Sequence, residues 1–341
     1  MERTDLKSMT RDQRSQCLKD MGLPAFRVNQ IGKWLDKGAA DFDEMTDLSL
    51  ELREELKKKF TIPKVKIKKR LVSALDDTVK YLYSLPDGET VESVLMNYKH
   101  GWSQCLSTQV GCRMGCAFCA TGMGGWVRNL TSAEMIAQIE AAQADRGVRV
   151  SSLVLMGMGE PLDNLDNVLR FLRMLGESET VRIGMRHVSL STCGLVDGIR
   201  RLMAEGLQLT LSVSLHAPND AIRTRLMPVA RRWPVEELID TCREYAETTG
   251  RRISFEYAMA DGVNDTDACA GELADLLKGM LCHVNLIPVN PVEGSPYRSS
   301  SRARLQAFAG RLEKKGIPVT VRRKLGADIQ AACGQLRRQG T

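Results

Sequence analysis

Cys112, Cys116 and Cys119 stand four and three residues apart in the run Gly111-Cys112-Arg113-Met114-Gly115-Cys116-Ala117-Phe118-Cys119. Three thiols this close, in a loop with glycine before and between them, are suited to holding one metal centre. Structural zinc closes its shell with four protein ligands, and a cubane iron–sulfur cluster is normally held by four cysteines. The run supplies three. A cluster held here would keep one iron open to a small molecule. The competing reading is a group of small buried hydrophobes, because unpaired cysteine packs well in a core.

The elements around this loop are read from hydrophobic spacing. Residues 1–60 have helical periodicity over Arg11–Met21, Arg27–Lys37 and the stretch after Ser49, which predicts a small helical accessory domain. Residues 61–98 read as short strands, Val65–Leu71, Val79–Leu85 and Thr90–Met96, forming a β linker with a turn at Pro86-Asp87-Gly88. From residue 99 to 341 the rhythm is strand, loop, helix, repeated. The predicted strands are Cys105–Val110, Val150–Met156, His187–Ser191, Leu209–Leu215, Ile253–Met259, His283–Pro288 and Ile317–Val321. A helix fills each gap; the one starting at Thr131-Ser132-Ala133-Glu134 has a capping box. Strands alternating with helices imply a parallel sheet. About six such units predict an α/β fold built on a partial (β/α)6, TIM-like barrel.

In such barrels the chemistry sits at the C-terminal ends of strands. The cysteine loop follows the first predicted strand. Gly157-Met158-Gly159-Glu160-Pro161 follows the second, Ser191-Thr192-Cys193-Gly194 the third, and Ser214-Leu215-His216 ends the fourth. Asn290-Pro291 follows the sixth and Cys333 the last. Each alone is ordinary loop composition; six strand ends carrying polar or thiol groups are harder to dismiss.

Composition bounds the rest. The chain has 341 residues, 43% of them hydrophobic, enough for a sizeable core. The start, Met1-Glu2-Arg3-Thr4-Asp5-Leu6-Lys7, is charged and lacks the apolar stretch of a signal peptide. No apolar run reaches the roughly 18 residues of a membrane span. A cytoplasmic protein is expected, so the ten cysteines point to metal or redox roles rather than a disulfide scaffold. The net charge of +6 is mild, but bases cluster: Lys57 to Arg70 contains no acid, and Arg322-Arg323-Lys324 and Arg337-Arg338 add to it. Lys64-Val65-Lys66-Ile67-Lys68 alternates, which on a strand puts lysines on one face and apolar residues on the other. Such clusters usually mark solvated faces; several together raise nucleic acid as a partner through phosphate neutralisation.

The chain resembles radical S-adenosylmethionine enzymes, and more narrowly the RlmN/Cfr family of RNA adenosine methyltransferases, over nearly its whole length. The resemblance is carried by Cys105-Leu106-Ser107-Thr108-Gln109-Val110-Gly111-Cys112, by Met156-Gly157-Met158-Gly159-Glu160-Pro161, by Ser212-Val213-Ser214-Leu215-His216-Ala217-Pro218-Asn219, by Val284-Asn285-Leu286-Ile287-Pro288 and by Asp328-Ile329-Gln330-Ala331-Ala332-Cys333-Gly334-Gln335-Leu336. Two departures stand out: Gln330 replaces the family's usual Asp, and Cys193 its common Ser.

The resemblance implies one 4Fe-4S cluster on Cys112, Cys116 and Cys119, and S-adenosylmethionine, two per turnover. Gly159, Glu160, Ser191, Ser214, Leu215, His216 and Asn290 are its implied contacts, Glu160 suiting the ammonium by charge. It further implies methylation of carbon 2 of adenine 2503 in 23S rRNA and of adenine 37 in tRNAs. Carbon 2 is an electron-poor ring carbon without a lone pair, so it cannot attack a methyl group directly, and radical chemistry from a cofactor is the way round this. Cys333 would carry the methyl group as S-methylcysteine, Glu92 would act as base, and Cys105 would release the product by forming a transient disulfide with Cys333. An electron donor such as flavodoxin with its reductase, or ferredoxin, is implied, with a monomeric enzyme and no membrane partner. Two rivals remain at this stage: a carbon-8 methyltransferase of the same family, and a non-catalytic zinc-stabilised RNA-binding protein.

Overall fold

The computed structural model describes residues 3–337. Met1, Glu2 and Arg338, part of the terminal runs named above, lie outside the described residues. Ten strands form one open sheet: β1 (Lys66–Val72), β2 (Val79–Ser84), β3 (Thr90–Tyr98), β4 (Gly101–Cys105), β5 (Val150–Leu155), β6 (Val188–Thr192), β7 (Thr210–Ser214), β8 (Ile253–Met259), β9 (Cys282–Pro288) and β10 (Val319–Val321). They lie side by side in chain order, with β1 and β10 at the edges. Pairing is antiparallel from β1 to β4 and parallel from β4 to β10. Residues 66–98 thus continue the barrel's own sheet.

Parallel neighbours need a long crossover, and each gap from β4 to β10 contains a helix. These are Ser132–Arg146, Leu165–Glu177, Val196–Ala204, Val235–Thr249, Asp267–Leu277 and Arg302–Lys314, the six strand–helix units expected. The first has its capping box, with Thr131 and Glu134 bonded reciprocally, and ends at Gly147 in the left-handed region, φ 62°. In β6, Val188 and Leu190 are buried while Ser189 and Ser191 are half-buried. The apolar side chains meet the helix layer. The helix Leu165–Glu177 answers with Val168, Phe171, Leu172 and Leu175.

Two local expectations are corrected, and one helix is added. The strand predicted over Cys105–Val110 stops at Cys105; Gln109–Gly111 instead pairs with Trp126–Asn129 in a separate two-stranded sheet. Between them the backbone is held by β5 and the loop after it: Leu106 N donates to Val154 O at 2.9 Å and Thr108 N to Met158 O at 2.8 Å. The lysine alternation does not bury an apolar face. β1 is an edge strand exposed nearly throughout, and its register shifts between Ile67 and Lys69. Lysines on an edge discourage pairing with another chain. The helix Asp220–Leu226, after β7, has no counterpart in the periodicity.

The N-terminal segment packs Arg11–Asp20, Ala25–Asp36 and Leu50–Lys59 around its own core, which includes Leu18, Ile31, Met45 and Leu56. It meets the barrel through polar contacts. Lys7 Nζ is 2.7 Å from Glu140 Oε2, and Ala133 N donates to Ser8 Oγ at 3.1 Å.

Candidate active site

The loops after the parallel strands surround a cavity that is open at its rim. Its wall contains Cys112, Cys116 and Cys119, then Gly159, Glu160, Ser191, Ser214, His216 and Asn290, and Cys333 from the far end of the chain. Ten of the thirteen residues singled out in the sequence therefore share one space. Leu215, Cys105 and Glu92 do not line it.

The space exists because the inward positions of the strands are small or polar. Most barrels of this type fill their interior with Val, Ile and Leu. Here Ser189 and Ser212 face each other, Oγ to Oγ 3.0 Å, and Glu256 is held by Asn285 Nδ2 at 2.7 Å and Ser254 Oγ at 3.1 Å.

The cysteine loop is fixed by close backbone approach. Gly111 has φ +77°, and a Cβ there would sit 2.0 Å from Gly125 O. Cys112 N donates to that same oxygen at 2.7 Å, and Ala117 N donates to Leu226 O at 2.9 Å, so the helix Asp220–Leu226 braces the loop. Burial pushes the Cys112 thiol up to about 12 and raises Cys116 and Cys119 too. Buried thiols of this kind are protonated and inert on their own; a coordinated cation deprotonates them. Among the described residues no three His, Cys, Asp or Glu side chains gather on one point as a single-ion site. Cys112, Cys116 and Cys119 all line the same cavity. The donor set fits an iron–sulfur cluster.

Glu160 fits a cationic ligand. Its carboxylate is buried and accepts from Cys193 N at 2.7 Å and Leu162 N at 3.0 Å. Desolvation raises its pKa against those hydrogen bonds. Among the described residues no ion pair reaches it. A carboxylate so placed is stabilised by an ammonium brought in by a ligand. Gln109 aims this loop: its Oε1 accepts from Glu160 N at 2.8 Å while its Nε2 donates to Asn129 and Asp163, both at 2.8 Å.

His216 is a neutral wall residue. It sits at φ 57°, its Nδ1 accepts from Ala258 N at 2.9 Å, and its ring meets Phe118 edge-on at 5.0 Å. Burial and the nearby Arg223 pull its pKa down to about 3. Leu215 is fully buried and contributes its carbonyl, which accepts from Arg223 Nε at 3.1 Å.

A second cavity adjoins the first. Cys105 and Cys333 both line it, and Cys333, Asn290, Met156 and Arg322 are shared between the two. Both thiols are free. The end of β4 delivers Cys105, where Ser93 Oγ donates to its carbonyl at 2.8 Å. Burial, then the nearby Cys333, push the Cys105 thiol up to about 12. The Cys333 loop is held by Asn290 Nδ2 to Cys333 O at 3.1 Å, Ala120 N to Gly334 O at 2.8 Å, and Gln335 Nε2 to Pro291 O at 3.1 Å. Gln330 takes part through its backbone carbonyl, which accepts from Lys80 Nζ at 3.1 Å. The contact uses no side-chain atom of Gln330, so the missing carboxylate does not remove it. Glu92 lies behind this loop, 3.0 Å from Lys80 Nζ.

Two residues escaped sequence reasoning. Arg322, grouped there with solvated bases, faces inward between the two cavities, with Nη1 4.0 Å from Glu256 Oε2 and 3.8 Å from Met156 Sδ. Arg223 is fully buried and ties two strand ends together, donating to Cys193 O at 2.6 Å and to Leu215 O at 3.1 Å. Both stand in basic stretches that look like surface, and neither spacing nor composition separates them from exposed arginines.

Comparison with known proteins agrees with this geometry. Residues 106–270 match the radical SAM superfamily, and residues 4–62 match the ribosomal RNA large subunit methyltransferase N-terminal domain. A probable dual-specificity RNA methyltransferase RlmN of Alkaliphilus oremlandii is 52% identical over 339 residues, 99% of each chain. One of the same description from Pelotomaculum thermopropionicum is 51% identical over 340 residues, 99% of this chain and 92% of its own. The crystal structure of a radical SAM methyltransferase from Sphaerobacter thermophilus superposes with a TM-score of 0.92 at 44% identity, covering 98% of this chain and 99% of that one. The cofactors of such enzymes are a 4Fe-4S cluster and S-adenosylmethionine. The chain belongs to the RlmN family of radical S-adenosylmethionine RNA methyltransferases.

Proposed function

We propose that this enzyme methylates carbon 2 of adenine 2503 in 23S rRNA and of adenine 37 in tRNAs, with Cys333 as the methyl carrier. Bound cluster and S-adenosylmethionine supply a radical that takes hydrogen from an otherwise unreactive methyl group. Cys112, Cys116 and Cys119 hold the cluster. Glu160 receives the ammonium of S-adenosylmethionine, and Gly159, Ser191, Ser214, His216 and Asn290 form the rest of its wall. Leu215 acts through its backbone.

The Cys333 thiol gives up its proton and its Sγ takes the methyl group of one S-adenosylmethionine, whose sulfonium–methyl bond breaks to leave S-adenosylhomocysteine. Once a hydrogen atom has been taken from that methyl group, its carbon would bond to carbon 2 of the adenine, with the carbon-2 proton passing to Glu92 and one electron returning to the bound cluster. Cys105, as thiolate, then attacks Sγ of Cys333. The S–S bond forms, the bond from Cys333 Sγ to the RNA-borne carbon breaks, and the electron pair passes to that carbon, which is protonated. External dithiol reductant returns both cysteines to thiols. The observation that carries this reading is that Cys333 lines both cavities, one with the three-cysteine loop and the other with Cys105.

The adenine must leave its stack to reach the cavity, which favours loops of folded RNA. The helical domain of residues 1–60 and the exposed β1 edge are the proposed RNA grip. Mass spectrometry of nucleosides from RNA treated with the holoenzyme tests the proposal against standards of both isomers. The 2-methyl isomer is expected; the 8-methyl isomer alone would overturn the carbon-2 assignment.

A further inference from the structure

Lys80 on β2 and Glu92 on β3 are diagonal neighbours on one face of an antiparallel pair, because Lys80 is opposite Val94 and Leu82 opposite Glu92. Their side chains are 7% and 1% exposed, and Nζ stands 3.0 Å from Oε1. A pair buried this deeply costs desolvation that its mutual attraction alone often fails to offset. Both members have further work. Lys80 Nζ donates to Gln330 O at 3.1 Å, and Arg337 N donates to Glu92 Oε2 at 2.9 Å. Gln330 and Arg337 bracket Cys333, three residues before it and four after.

Residues 331–337 between these contacts have no helix or strand. Their backbone groups must find partners elsewhere, and their position depends on those partners. Gln330 itself is in the left-handed region, φ 52°, which turns its carbonyl toward the lysine. The same sheet face carries Val94, which lines the cavity shared by Cys105 and Cys333. The strands that support the Cys105 side therefore also hold the Cys333 loop at both ends.

We infer that Lys80 and Glu92 form a buried clamp that sets the Cys333 loop over Cys105, and that Glu92 is a positioning residue acting through this loop. The clamp rests on the reading of Cys333 as the working thiol. It gives Glu92 a positioning role in addition to that of the base that the family resemblance implies.

The test compares the holoenzyme of wild type, the double variant K80M/E92M and E92Q, without RNA. Replacing both charges leaves neither one buried and unpaired, so the fold is retained. Amide hydrogen exchange over residues 331–336 reports the loop whatever the thiol carries, and the rate of N-ethylmaleimide labelling at Cys333, read on its peptide in enzyme never exposed to S-adenosylmethionine so that the thiol is free, reports its access. The clamp and the methyl-carrier role can thus fail separately. In the double variant both rates should rise at least about tenfold, the effect of losing hydrogen bonds to charged groups, while iron content stays at the wild-type level. Methylation of Cys333 itself, which needs no base on the RNA, should fall as those rates rise, and E92Q should lie between. Unchanged exchange and labelling in the double variant would overturn the clamp. So would an E92Q enzyme with a wild-type loop and wild-type Cys333 methylation that nonetheless makes no RNA product.

Discussion

In the proposed mechanism Cys105 reacts last. Its thiol is buried and pushed up to about 12, so it is protonated at neutral pH, whereas Cys333 is half-buried. Alkylation of Cys105 in the folded protein should therefore rise steadily with pH from 7 to 9 and show no plateau, because its thiolate fraction grows throughout that window. A plateau near the ordinary cysteine pKa of about 8.5, followed on the Cys105 peptide, would contradict this. The residues that line the candidate site were legible in the sequence wherever spacing or a terminal motif marked them: the three-cysteine run, Glu160, Cys333. Arg322 and Arg223 were not, since a guanidinium becomes special only through what surrounds it, here Glu256 and Met156 for one and two strand-end carbonyls for the other.

At the scale of elements, two loops are locked together by glycine. A Cβ on Gly157 would meet Leu106 O at 2.5 Å, Leu106 C at 2.6 Å and Ser107 N at 2.7 Å, all backbone. Neither partner yields cheaply, because Gly157 N also donates to Leu106 O at 2.9 Å. Gly157→Ala should cost about 1–3 kcal/mol, as overpacking does, and weaken S-adenosylmethionine binding by shifting Glu160. A wild-type urea midpoint would argue against the fixed approach. The six strand–helix units were legible because each carries an apolar run or stripe long enough to show its period. The helix Asp220–Leu226 and the strand Trp126–Asn129 were not, being too short for periodicity. The alternation at Lys64–Lys68 misled because a register shift and an edge position leave Ile67 exposed rather than buried.

Over the whole molecule, one open sheet joins the reactive end of the barrel to an exposed basic edge. Lys64 is already engaged by Asp41 at 3.0 Å, so Lys66 and Lys68, both exposed, are the better candidates for phosphate contacts. The double change Lys66→Gln and Lys68→Gln should weaken RNA binding and reduce the slope of log affinity against log salt by about 1.4–1.8, two phosphate contacts' worth. If the lysines serve only to keep the edge from pairing, the variant will aggregate with its RNA affinity unchanged. The cavity architecture and the clamp behind Cys333 join residues more than two hundred positions apart, contacts that a periodicity scan does not reach.

The central claim is that Cys333 carries the methyl group. Holoenzyme incubated anaerobically with reductant and methyl-labelled S-adenosylmethionine, without RNA, should yield a Cys333 peptide bearing one labelled methyl group; adding RNA should move that carbon to the nucleoside. Label on another cysteine, or labelled RNA with Cys333 never methylated, would contradict the account.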